Sequence, residues 1–136
     1  MAGSKRPVAS KVIASLGVSD IERSIEFYAR FFGFQVADSY EQDGSRVWCW
    51  LQTGSADLML QQLSPDQQIT LDPAVGQSWM LYIRPDDLDD VHHDLRAAGF
   101  EVSDIQASSY ATREFLAKDP DGYELWVSVP VDEDDE

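Results

Sequence analysis

Apolar and polar residues alternate through Ser15-Leu16-Gly17-Val18, and the rhythm then changes, with Ile21, Ile25, Tyr28 and Phe32 recurring at helical spacing. The pattern predicts a half-buried strand followed by an amphipathic helix, opened by a capping box of Ser19 and Glu22. The same sequence of rhythms comes round again. Trp79, Leu81 and Ile83 alternate, Asp86 or Asp87 supplies an N-cap, and Leu88, Val91 and Leu95 form a stripe that ends at Gly99, a residue tolerant of positive φ. Each helix runs into a Gly-Phe-x-Val string, Gly33 to Val36 and Gly99 to Val102, 66 residues apart (99 − 33). A short strand and a hairpin follow each string. The first hairpin, Arg46 to Gln52 and Asp57 to Leu63, turns at Thr53-Gly54-Ser55-Ala56; the second, Thr112 to Lys118 and Tyr123 to Val129, turns at Asp119-Pro120-Asp121-Gly122.

The predicted fold class is therefore α+β, a single domain over residues 1–136 made of two βαβββ units, 10–63 and 77–130. The polar stretch 64–76, with Pro65 and Pro73, reads as the linker, and 131–136 as an acidic tail. A four-stranded sheet with one helix covers only one of its faces. The other, concave face needs a partner or a ligand, and function is expected there.

Composition narrows the possible partners. Ten basic against 25 acidic residues leave a net charge of −15, which repels phosphate backbones and anionic headgroups, so neither nucleic acid nor a membrane surface is an expected partner. A solubility or high-salt adaptation would give the same balance, so charge names no ligand. No apolar run approaches the roughly 20 residues of a membrane span, and the opening residues contain no apolar stretch like that of a signal peptide, giving a cytoplasmic expectation.

Candidate chemistry is sparse. Cys49 is the lone cysteine, reads as a small buried hydrophobe, and has no His in its strand neighbourhood to activate it. No Gly-x-Ser-x-Gly string and no phosphate-cradling glycine loop occurs. His92 and His93 are neighbours on the second helix, point about 100° apart, and read as solvated helix residues. Asp86 to Asp94 reads as a helix start favoured by the dipole.

Three strings carry a family resemblance. Val18-Ser19-Asp20-Ile21-Glu22-Arg23-Ser24-Ile25-Glu26-Phe27-Tyr28, followed by Gly33-Phe34, resembles the first-helix signature of the glyoxalase, bleomycin-resistance and dioxygenase (vicinal-oxygen-chelate) superfamily. Thr112 to Phe115 with Asp119 to Tyr123 is similar to its closing hairpin, and Asp57-Leu58-Met59-Leu60 to a strand of small bleomycin-resistance proteins. Asp20, Asp119 and Asp121 in these strings read as structural, in caps and turns.

Metal-dependent members of that superfamily hold a divalent ion with His, Gln or Glu from four strand positions, which the resemblance carries onto Ile13, Leu60, Ser78 and Trp126. None of these is a competent ligand. A register shift of one would offer Gln61 alone. No metal, no cofactor and no catalytic residue are therefore expected.

Strand parity with Ile13, Ser78 and Trp126 turns Ser15, Leu58, Leu60, Met80, Tyr82 and Ser128 toward the cavity. Four-residue turns pair Phe115 with Trp126 and Cys49 with Leu60 on that same face, whereas a bulge would instead turn Trp48 and Trp50 inward. Tyr110 sits where it can cap the cavity.

Aromatic walls in an acidic protein suit an aromatic, cationic guest. By resemblance to metal-free bleomycin-resistance proteins, the expectation is a homodimer that sequesters a bleomycin-like small molecule and confers antibiotic resistance. Two other readings stay open: a glyoxalase-like metal-dependent lyase or isomerase, and a regulatory module whose acidic surface docks a protein.

Overall fold

The computed structural model describes residues 6–67 and 80–131. Strand β1 (Ala14–Val18) leads into helix α1 (Ile21–Phe32), followed by β2 (Gln35–Gln42), β3 (Ser45–Thr53) and β4 (Ala56–Gln62). The second unit repeats the plan with β5 (Leu81–Ile83), α2 (Leu88–Ala97), β6 (Gln106–Ala107), β7 (Thr112–Lys118) and β8 (Glu124–Pro130). The sheets run β1-β4-β3-β2 and β5-β8-β7-β6, with β1 parallel to β4 and β5 parallel to β8. This is the α+β arrangement of two βαβββ units that the repeat implies.

The helix boundaries follow local chemistry. Asp20, not Ser19, caps α1, its side chain accepting the Arg23 N–H at 3.2 Å, while Ser19 turns away to hydrogen-bond Asp121. Gly33 ends the helix at φ 73°, a conformation that disfavours a Cβ. Asp87 caps α2 through the Asp90 N–H.

The strand expected after the second helix is nearly lost. Val102 makes one isolated bridge to Ala117 and β6 has two residues, whereas β2 has eight. β2 is an exposed edge. Asp38 and Glu41 lie on it beside two register irregularities, which discourage edge-to-edge pairing.

One apolar core serves both units. Leu16, Val18, Cys49, Leu51, Leu58 and Leu60 from the first sheet share it with α1, with Leu88 and Leu95 of α2, and with Phe115, Ala117, Leu125 and Val127 of the second sheet. Phe27 links the units by packing its ring against Phe100, centroids 5.0 Å apart.

Polar contacts lock the same junction. Tyr28 donates its hydroxyl to Asp119 at 2.7 Å, and Asp119 accepts the N–H groups of Asp121 and Tyr123 at 2.9 Å each, closing the Asp-Pro-Asp-Gly turn. Tyr123 reaches back to donate to the Gly17 carbonyl at 2.7 Å. The aspartates of the motif are thus structural. Burial raises the Asp119 pKa despite these donors, and burial also drives the Tyr28 phenol well above its ordinary value.

Candidate ligand-binding site

Each sheet turns one face to the shared core and leaves the opposite face open. Pairing defines the open face of the first sheet: Ser15 lies beside Met59, Met59 opposite Trp50, Trp48 opposite Gln61, and Tyr40 opposite Trp48. Asp57 shares this face through its pairing with Gln52. Trp48 and Trp50 are half-buried and Tyr40 is exposed.

The open face of the second sheet carries Tyr82 opposite Trp126, Trp126 opposite Leu116, and Ser128 opposite Glu114. A chain of hydroxyls runs along it. Tyr82 donates to Ser128 at 2.8 Å, and Ser128 and Thr112 both donate to Glu114 Oε2, at 3.3 and 3.1 Å. Arg113, the residue before it, forms an ion pair with Asp89 at 3.0 Å. Trp126 is half-buried and its indole Nε1 has no acceptor among the described residues.

Several expected site residues therefore change sides. Cys49 and Leu60 do pair, but both are fully buried on the helix-facing side, with Leu58 in the same core. Phe115 pairs with Val127, not Trp126, and packs in the core against the His92 ring at 4.8 Å.

The cause is one residue. Thr53 pairs with Ala56 across a two-residue turn, but Lys118 pairs with Glu124 across Asp119 to Tyr123, and the Asp119 N–H reaches the Tyr123 carbonyl. The repeat offset is 66 before the turn (115 − 49) and 67 after it (127 − 60), so Met59, not Leu60, is the counterpart of Trp126. Trp48 and Trp50 reach the open face with no bulge between β3 and β4.

By strand parity Ser15, Tyr82, Ser128 and Trp126 lie on the sheet faces turned away from the core, Ser15 and Tyr82 exposed, Trp126 half-buried and Ser128 fully buried. Met80 is half-buried just ahead of β5, and Ile13 half-buried just ahead of β1. Tyr110 is 83 % exposed in the turn before β7. Ser78 and Trp79 lie outside the described residues.

His92 is another departure. It is half-buried and its Nε2 lies 2.8 Å from the Ser103 carbonyl, so it is a packed residue and not a solvated one. Met59 and Asp57 were missed at these faces, and Glu114, which sequence alone pairs with Arg113 at the surface, instead receives Ser128 and Thr112. Parity from a correctly registered β4 would have found the first two, and the alternation of Glu114 with Leu116 and Trp126's partnership the third.

A sequence profile then decides the family. The profile of the Glyoxalase/Bleomycin resistance protein/Dioxygenase superfamily matches residues 11–127. The chain belongs to this superfamily. Its solved structural relatives include TioX from Micromonospora sp. ML1, at 21% identity and TM-score 0.67, covering 88% of this chain and 94% of TioX. TnmS3, an antibiotic binding protein from Streptomyces sp. CB03234, aligns at 23% identity and TM-score 0.65 over 93% of this chain and 99% of its own. A bleomycin resistance determinant encoded on the transposon Tn5 aligns at 20% identity and TM-score 0.63, covering 90% and 98%. At these identities the likeness establishes the fold. No curated protein matches the chain by sequence.

Many chemistries of the superfamily run through a divalent ion, and the side chains at the corresponding positions do not fit one. Ile13 and Trp126 offer no ligating atom, Leu60 is in the core, and Met59 and Gln61 beside it supply a thioether and a neutral amide. Among the described residues no three His, Cys, Asp or Glu side chains converge as a metal would need. Burial pushes the Cys49 thiol up to about 11, leaving it a poor nucleophile. Among the described residues no helix is long and apolar enough to cross a membrane.

Proposed function

We propose that this superfamily member is a metal-free binding protein that sequesters an aromatic, cationic small molecule, as bleomycin-resistance proteins do, within a homodimer. The observation that carries the reading is the presence of aromatic rings and a carboxylate on each open sheet face: Trp50 hydrogen-bonded to Asp57 with Trp48 and Tyr40 farther along the same face, and Tyr82 and Trp126 beside the Ser128 and Glu114 pair. Flat rings stack on a guest or hold its cation over their π-face, each contact worth about 0.5 to 2 kcal/mol. A carboxylate fixed by hydroxyl donors selects a positive group without having to reorganise.

A monomer leaves these faces open to water. A second copy laid across them would convert two shallow walls into an enclosed crevice and would cover Tyr82, which is 54 % exposed, and Leu116. The reading also agrees with two of the structural relatives, a bleomycin resistance determinant and an antibiotic binding protein, and with the unfitness of the metal positions. Protection of a host against a toxic compound follows from sequestration, and a protein of this kind works in the cytoplasm.

Elemental analysis of the purified protein together with calorimetric titration of bleomycin tests the proposal. The expected result is no stoichiometric divalent metal and saturable binding of one molecule per sheet pair. Metal at one per chain would overturn the metal-free reading and restore a lyase or isomerase. Absence of bleomycin binding at millimolar concentration would exclude that ligand class.

A further inference from the structure

Asp57 on the first open face is more than a wall residue. Its side chain is only 7 % exposed, and it collects three donors: Trp50 Nε1 and Gln52 Nε2 on Oδ1, each at 2.8 Å, and the Lys11 ammonium on Oδ2 at 3.0 Å. Hydrogen bonds from Gln52, Lys11 and Trp50 hold its carboxyl below the ordinary carboxylate range. The Lys11 nitrogen also stands 5.6 Å from the centroid of the Trp50 ring. One carboxylate thus binds an ammonium and fixes the indole that shares it.

The occupant arrives on a loose tether. Residues 6–13 have no regular structure, and Val8 and Val12 on either side of Lys11 are 85 % and 90 % exposed. Apolar packing does not hold this segment in place. Its ammonium sits where it does because of Asp57 and Trp50, and with Lys11 itself half-exposed such a pair exchanges readily.

We propose that Asp57 and Trp50 form an ammonium subsite for the ligand, and that Lys11 is a built-in occupant which a ligand's own primary ammonium displaces. The inference rests on the reading that this face takes a cationic aromatic guest. A neutral guest gains nothing from the exchange, because it brings no charge to take the place of the Lys11 ammonium on Asp57. A guest carrying an ammonium replaces the Lys11 charge one for one between the Asp57 carboxylate and the Trp50 ring. A tethered competitor acts at an effective concentration in the millimolar range, so it weakens cationic guests and leaves neutral ones untouched.

Tryptamine and N-acetyltryptamine test this, since they share the indole and differ in the ammonium. Calorimetric titration of both into the full chain, as wild type, Lys11→Met and Asp57→Asn, should give three results. Lys11→Met tightens tryptamine about 3- to 10-fold, as removal of a tethered competitor should. It leaves N-acetyltryptamine within about 2-fold. Asp57→Asn erases the preference for tryptamine, and if that variant does not fold by circular dichroism, Lys11→Met decides alone. No change in Lys11→Met, or equal changes for both probes, overturns the proposal. Bleomycin titrated into the same proteins separates the two readings: bleomycin binding with no discrimination between the indole probes sinks the Lys11 exchange and spares the pocket. If bleomycin and both indoles fail to bind every variant, the pocket falls and takes the exchange with it.

Discussion

The two sheets share a plan and differ in how they finish it. The first has a long edge strand of eight residues and a carboxylate already matched by a lysine of its own chain; the second has an edge of two residues and a carboxylate, Glu114, matched among the described residues by hydroxyls. The helix-facing sides are alike, both filled mainly with Leu and Val side chains, joined by Cys49 in the first sheet and by Phe115 and Ala117 in the second. Duplicated units keep what the core requires and diverge where the solvent-facing side is free to change. Function should follow the differences, and stability the similarities.

The largest effect should come from the shared core. Leu60→Ala and Phe115→Ala remove fully enclosed side chains and should each cost about 2 to 5 kcal/mol by denaturant unfolding, with no specific effect on ligand affinity beyond that of unfolding. Loss of bleomycin binding in a still-folded Leu60→Ala protein would mean that this side chain reaches the ligand after all.

Next is the junction between the units. Tyr28→Phe leaves Asp119, only 4 % exposed, one donor short and should cost about 1 to 3 kcal/mol by the same measurement. A cost within error would show that water replaces the hydroxyl.

The two open faces are compared most directly by Trp50→Ala and Trp126→Ala. Each should weaken an aromatic cationic ligand about 2- to 30-fold in a calorimetric titration. If only one of them matters, a single sheet carries the site. Glu114→Gln belongs to the same comparison and should weaken cationic ligands while sparing neutral ones.

A smaller effect concerns pH. The folded-state pKa of Asp119 is raised, chiefly by burial, so its contribution favours the protein below the unfolded value near 4 and is lost as pH rises through the folded value. Asp119→Asn, which can still accept from Tyr28, should flatten the dependence of unfolding free energy on pH across the acid range. An unchanged profile would place the titration elsewhere, with Asp90 the first candidate because the charge of Asp87 beside it raises its pKa in the same direction, whereas the lowered pKa of Asp57 gives the opposite slope.

Much of the fold was legible because the signals are local. The change of period at Val18 to Ile21 marks strand and helix, and Gly33 and Gly99 mark their ends. The site was less legible because it depends on which of two faces a residue takes, and that was transferred from one hairpin to the other across turns of unequal length. A single extra residue in the Asp119 to Tyr123 loop sent Cys49, Leu58, Leu60 and Phe115 to the wrong side. The Lys11 contact lay beyond pattern altogether, since no periodicity ties an irregular segment to a strand residue 46 positions away (57 − 11).

The bond from Tyr28 to Asp119 also imposes an order on synthesis. The acceptor lies 91 residues downstream of the donor (119 − 28), so at about 5 to 20 residues per second a ribosome needs roughly 5 to 20 seconds between the two. During that interval α1 is made without Phe100, which packs on Phe27, and without the turn whose Asp119 receives the Tyr28 hydroxyl, and the exposed strand β2 is already made. The nascent first unit is a half-finished surface awaiting its closure. Asp38 and Glu41 along its edge are then chaperones of a kind, keeping neighbouring nascent chains apart until the second unit arrives.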